Sequence, residues 1–78
     1  MEKVTVYSTA ECPWCKKVKA FLKEHKVSFT NKDVGEDTKA AQEMIAKSGQ
    51  QGVPVTVIGN EVITGFDEGK LKKALGLK

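Results

Sequence analysis

Seventy-eight residues are enough for one domain with one core: a chain of this size buries only ~60–65% of the surface its unfolded form exposes, leaving no room for a second domain or a large substrate cavity. Composition is that of an ordered globule, 40% hydrophobic and 29% charged, and no apolar run approaches the ~18–20 residues of a membrane span. Thirteen lysines and no arginine face ten acids, for a net charge of +3; the lysines are scattered among acids, which reads as solvated helix faces rather than a nucleic-acid surface.

Residues 3–7, Lys-Val-Thr-Val-Tyr, are β-branched and aromatic and predict a first strand. The chain enters this pattern at once, with no signal-peptide character, so a cytoplasmic location is expected. Residues 8–11 read as a loop. Pro13 then suits a first helical turn, where its missing N–H would be unpaired anyway. Trp14, Cys15, Val18, Phe21 and Leu22 form the inward stripe of a helix over residues 13–25, with Lys16, Lys17, Lys19, Lys23 and Glu24 outside. Residues 27–34 predict a second strand, and strand–helix–strand with a short crossover predicts a right-handed parallel pair. A second helix is expected over 37–47, with Ala41, Met44 and Ile45 inward and Gly49 just past its end. Residues 55–58 and 61–64 are two short strands joined by Gly59-Asn60, a hairpin turn. Asp67 caps a last helix over 68–75, Gly76 is its left-handed closing residue, and Leu77 folds back on Leu71. The order β-α-β-α-β-β-α predicts an α/β fold: a four-stranded mixed sheet with three helices on both faces, one domain over residues 1–78.

The chemistry concentrates at Cys12-Pro13-Trp14-Cys15, where the first strand feeds the first helix. Unpaired N–H groups and the positive end of the helix dipole point at Cys12 and stabilise a thiolate, the nucleophile of disulfide exchange. The spacing puts Cys15 one helical turn in, within reach and less exposed. Cys12 is therefore expected to attack a substrate disulfide and Cys15 to resolve the mixed disulfide. Lys16 and Lys17 add positive field, and Glu11 opposes it. Three other readings of the pair exist. A zinc site lacks ligands within the chain, since only the distant His25 could join the cysteines. A structural bridge over so short a loop would remove little chain entropy. The spacing could also arise by chance in a core.

Two further elements attend the pair. Val53-Pro54 opens a strand after a polar loop, a natural place for a cis bond. If the bond is cis, the Val53 backbone is offered to an extended substrate; a trans proline at a strand start is the plainer reading. Thr64-Gly65-Phe66-Asp67 opens the last helix, where backbone N–H groups make an anion-binding nest. The plainer reading there is an N-cap aspartate and a core phenylalanine.

Together these residues resemble the glutaredoxin family of the thioredoxin-like superfamily. Cys12-Pro13-Trp14-Cys15 is similar to its Cys-Pro-Tyr-Cys, Gly52-Val53-Pro54 to its Thr-Val-Pro with a cis proline, and Gly65-Phe66-Asp67 to its Gly-x-Asp. The resemblance covers nearly the whole chain and implies a thioredoxin-like fold. It also implies a dithiol–disulfide oxidoreductase acting on protein disulfides, on glutathione mixed disulfides, or on both. Cys12, Pro13, Trp14 and Cys15 would form the catalytic segment, and Thr9, Gln51, Val53, Pro54, Gly65, Phe66 and Asp67 would hold glutathione or substrate. Glutathione would be a co-substrate, with no tightly bound cofactor and no metal; a monomer acting without nucleic acid or membrane is expected. The departures concern the electron source. Thr9 and Gln51 stand where glutathione-using members usually carry cations. Thr64-Gly65-Phe66 resembles the Ser-Gly-Phe of small redoxins that serve ribonucleotide reductase and are recharged by a thioredoxin-reductase-type flavoprotein. An iron–sulfur carrier shared between two subunits is a further family role, against which Pro13 argues by stiffening the site. A non-enzymatic binding module would require dispensable cysteines.

Overall fold

The computed structural model describes residues 3–50 and 52–76. Strand β1 (Val4–Ser8) is followed by helix α1 (Pro13–Glu24), strand β2 (Thr30–Asp33), helix α2 (Thr38–Ser48), the hairpin β3 (Val55–Ile58) and β4 (Glu61–Thr64), and helix α3 (Glu68–Leu75). The sheet order is β2-β1-β3-β4. β1 runs parallel to β2, and the β1–β3 and β3–β4 pairs are antiparallel. This is the predicted mixed sheet.

Strand alternation sorts the core into two layers. Val4 and Val6 of β1, Ile58 of β3 and Ile63 of β4 point to one face, where Val18, Phe21 and Leu22 of α1 and Leu71 of α3 cover them. Tyr7, Val55 and Val57 point to the other face and meet Ala40 and Met44 of α2. Two helices thus cover one face and a single helix the other. The hairpin closes at Gly59-Asn60 with Ile58 opposite Glu61. Gly59 has φ 59 while Asn60 stays at negative φ, the φ pattern of a type II′ turn.

Several boundaries differ from the sequence reading. β1 lies one residue later than expected. α1 stops at Glu24 with His25 as its cap, and Lys26 turns left-handed at φ 58. The Lys26 N–H donates to Lys23 O and the Val27 N–H to Leu22 O at 2.8 Å. This pair of bonds is the Schellman closure of a helix. It takes the backbone of residues 26–27, so β2 begins at Thr30 instead of 27. Val27 and Phe29 still pack against the core, which explains why their alternation resembles a strand.

α2 starts at Thr38 behind the cap residue Asp37. Its buried line is Ala40 and Met44, an i, i+4 pair, so Ile45 is 38% exposed rather than inward and Ala41 is only half-buried. Trp14 also leaves the expected inward stripe and is 54% exposed. Gly76 is left-handed as expected, at φ 72; the fold-back of Leu77 lies outside the described residues.

The α2 face also carries a polar network that sequence patterning does not announce. The Tyr7 hydroxyl donates to Glu43 Oε1 at 3.3 Å, and Lys32 Nζ reaches the same oxygen at 2.8 Å. Burial pushes the Tyr7 hydroxyl up from its ordinary pKa. The hydrogen bond from Lys32 holds the Glu43 carboxyl below its usual range, and the same bond raises Lys32.

Candidate active site

β1 and α1 set the position of the cysteine pair. Residues 9–11 carry the chain from the end of β1 to Cys12, which caps α1 in extended conformation, with Pro13 as the first helical residue. Proline belongs there because the helix needs no N–H at that place. Cys12 Sγ accepts the Cys15 N–H at 3.1 Å, so the sulfur occupies the place of an N-cap oxygen. The two cysteines form a disulfide with Cα atoms 5.2 Å apart. Cys15 is wholly buried and Cys12 is 9% exposed, the inequality expected of a resolving and an attacking sulfur. After reduction, the Cys15 N–H and the helix N-terminus would face the Cys12 thiolate.

A shallow groove of about 250 Å³ opens beside the pair, lined by Trp14, Val53, Pro54, Gly65 and Phe66. The Val53-Pro54 bond is cis. Trp14 and Phe66 stand across the groove with ring centroids 6.4 Å apart, and Phe66 meets Phe21 edge-on at 6.1 Å. Lys17 Nζ lies 4.3 Å from the Trp14 ring centroid, a cation–π contact one turn along the helix. The sequence holds the signal for this contact, an aromatic and a lysine at i, i+3. The signal is masked because the helical stripe assigns Trp14 to the core.

The expected nest at residues 64–67 is partly used by the fold itself. Gly65 is left-handed at φ 73, and its N–H donates to Pro54 O at 2.9 Å. That bond ties the end of β4 to the proline loop and removes one donor from any anion site. Asp67 caps α3 by accepting the Lys70 N–H at 3.1 Å. Thr9 does not line the groove; it sits beside Gly35, where a Cβ added to the glycine would come 3.7 Å from Thr9 Cγ2. Gln51 lies outside the described residues. His25 is at the far end of α1 against Phe21, and among the described residues no three metal-ligating side chains come together. No described helix is long and apolar enough to cross a membrane.

The geometry agrees with what known proteins show. The glutaredoxin family model matches residues 4–63, ending just before the residues 64–67 segment. An uncharacterised glutaredoxin-like 8.6 kDa protein of the rubredoxin operon of Clostridium pasteurianum is 40% identical over 72 residues, covering 92% of this chain and 96% of that protein. The glutaredoxin-like protein NrdH of Lactococcus lactis is 33% identical over 70 residues, covering 90% and 96%. The crystal structure of a glutaredoxin from Archaeoglobus fulgidus superposes with a TM-score of 0.88 at 31% identity, covering 96% of this chain and 87% of that one. With its thioredoxin-like fold and a Cys-x-x-Cys pair at a helix start, the chain belongs to the glutaredoxin family of thiol–disulfide oxidoreductases.

Proposed function

We propose that the protein reduces protein disulfides and glutathione mixed disulfides in the cytoplasm, with Cys12 as nucleophile and Cys15 as resolving thiol. The observation that carries this reading is the unequal pair. Cys12 sits at the mouth of α1 with its sulfur on the Cys15 N–H, and Cys15 is wholly buried behind it. The Cys12 thiolate attacks one sulfur of the substrate disulfide, and the other sulfur leaves as a thiolate that takes up a proton. Cys15 then loses its proton and attacks Cys12 Sγ, releasing the second substrate sulfur as a thiol and closing the protein disulfide. Pro13 holds the turn, and Trp14 with Phe66, Pro54 and the Val53 backbone form the groove wall against which an extended substrate lies.

Glutathione fits this groove as a co-substrate with few charged partners. The Val53 backbone, the remaining N–H groups near Phe66, and Asp67 toward its ammonium group are the contacts on offer, with Lys16 or Lys17 for a carboxylate. Thr9 and Gln51 supply none of the charge-assisted bonds, roughly twice as strong as neutral ones, that cations would make there. A flavoprotein reductase of the thioredoxin-reductase type is therefore a second electron source, and ribonucleotide reductase the substrate that reading implies. The similarity to an NrdH protein and the Thr64-Gly65-Phe66 segment favour it. Assays with glutathione plus glutathione reductase, and separately with thioredoxin reductase plus NADPH, separate the two. Slow glutathione-linked turnover that Thr9→Lys and Gln51→Arg improve is the expected result. Turnover with thioredoxin reductase alone would remove glutathione from the reading. Cys15→Ser should abolish reduction of protein disulfides while leaving reduction of glutathione mixed disulfides, and equal rates on both in that variant would sink the dithiol step.

A further inference from the structure

Thr56 lies in the middle of β3 and is wholly buried. Among the described residues its hydroxyl is the one buried side-chain oxygen or nitrogen without a hydrogen-bond partner. The strand around it is Val55-Thr56-Val57, and a third valine of the same shape would fill the place without an orphaned polar group. A buried hydroxyl left unpaired is destabilising, so the place of this one matters.

Thr56 pairs with Val6 on one side and Ile63 on the other, and both belong to the core layer under α1 and α3. Directly paired residues share a face of the sheet, so the Thr56 side chain points toward that layer. Pro54, two residues earlier, shares the same side of the chain by alternation. Pro54 lines the groove together with Trp14, which brings this end of β3 to the first turn of α1. The first buried side chain of α1 is Cys15, wholly enclosed.

With the disulfide closed, Cys15 Sγ carries neither a proton nor a charge. Reduction changes what it needs. Two thiols, from a dithiol protein or from two glutathione molecules, give up two electrons and two protons and leave as a disulfide. The Cys12–Cys15 bond breaks and each sulfur takes one electron and one proton. Cys12 can rely on the helix N-terminus and on solvent; Cys15, enclosed in the core, can be hydrogen-bonded only by a group of the protein itself.

We propose that the Thr56 hydroxyl is that partner: unpaired while the disulfide is closed, it donates a hydrogen bond to Cys15 Sγ when the pair is reduced. The proposal rests on the dithiol reading of the pair. Its consequence is a redox bias, because the hydroxyl weakens the oxidised form and supports the reduced one.

The test is equilibration of the protein with mixtures of reduced and oxidised glutathione. Thr56→Val should shift the equilibrium toward the disulfide by about tenfold, ~30 mV more negative. Thr56→Ser, which keeps the hydroxyl, should stay near wild type. The oxidised Thr56→Val protein should melt no lower than wild type. An unchanged equilibrium in Thr56→Val, an equal shift in Thr56→Ser, or a loss of stability or folding in oxidised Thr56→Val would each overturn the proposal. Failure of the dithiol reading appears elsewhere, in the Cys15→Ser rates, so the two outcomes are read separately.

Discussion

Helices α2 and α3 begin on Asp37 and Asp67, whose carboxylates accept the N–H groups of Ala40 and Lys70 at 3.1 Å. Both close on a left-handed glycine, Gly49 at φ 74 and Gly76 at φ 72. α1 has neither device. A sulfur stands at its N-cap, accepting the Cys15 N–H at 3.1 Å, and a lysine takes the left-handed place at its other end. Aspartate is among the strongest capping residues and glycine the residue that turns left-handed without a Cβ clash. The two scaffold helices follow local rules at both ends, and the helix that carries the chemistry breaks them at both. At the N-terminus the exception has a purpose: a carboxylate there could not exchange a disulfide.

Cys12→Ser breaks this contrast at its most consequential point. Redox activity should fall to background, because serine is no nucleophile toward disulfides under these conditions. Serine is nonetheless a strong N-cap, so the variant should be at least as stable as the reduced wild-type protein, gaining up to ~1 kcal/mol. Turnover and a denaturant melt of both reduced proteins measure the pair of effects, and a marked loss of stability would show that sulfur capping is not what holds this end.

Asp37→Ala and Asp67→Ala should each cost ~1 kcal/mol, with a range of about 0.5–2. Only Asp67→Ala should also slow glutathione-linked turnover, since Asp37 caps the helix on the opposite face of the sheet. Equal turnover in the two variants would reduce Asp67 to a cap.

Lys26→Gly should stabilise the protein by ~0.5–1 kcal/mol, by relieving a left-handed conformation that costs a non-glycine residue ~1–2 kcal/mol and setting against it the greater freedom of unfolded glycine. A thermal melt reads it, and activity should not change. A loss of stability would mean that the lysine side chain contributes more than its backbone costs.

Glu43→Gln gives the smallest effect and one visible only in its pH dependence. The folded protein holds Glu43 below its ordinary range, so its contribution is present above about pH 4–5 and fades as pH falls through the folded value. Wild type and variant should therefore differ at neutral pH and converge in acid. At the alkaline end the raised Lys32 and Tyr7 act oppositely to the carboxylate. What they contribute is intact below their ordinary values and is lost as pH rises through the folded ones.

The same contrast explains what can be read in the chain without coordinates. Asp67, Gly49 and Gly76 are local signals, and the helices they bound lie within a residue of the expected ranges; Asp37 caps α2 although the sequence reading counts it inside the helix. The cysteine pair, the proline and the 64–67 segment are legible because each needs a residue type that few other roles demand. The end of α1 misleads because Lys26 gives no sign of a left-handed turn, and because Val27 and Phe29 alternate like a strand while serving as packing. Trp14 misleads because helical spacing alone cannot tell a core ring from one held at the surface by Phe66 and Lys17. The Tyr7–Glu43–Lys32 network joins three elements through side chains up to 36 positions apart, a distance at which no local pattern speaks. The Gly65–Pro54 bond is hidden for the same reason.

The order of the strands has a last consequence, for the sheet's two open rims. β1 and β3 are enclosed, and the outermost ribbons are β2 and β4. β2 is only four residues, Thr30-Asn31-Lys32-Asp33, and β4 begins and ends with the exposed Glu61 and Thr64. A foreign strand seeking to extend the sheet along β2 would have to desolvate a lysine and an aspartate for a ladder of four residues. Short, charged rims of this kind discourage fibrillar stacking; the sheet's share of the apolar core comes mainly from the two inner strands, with Ile63 added from β4, while the polar residues of β2 and the ends of β4 guard the margins.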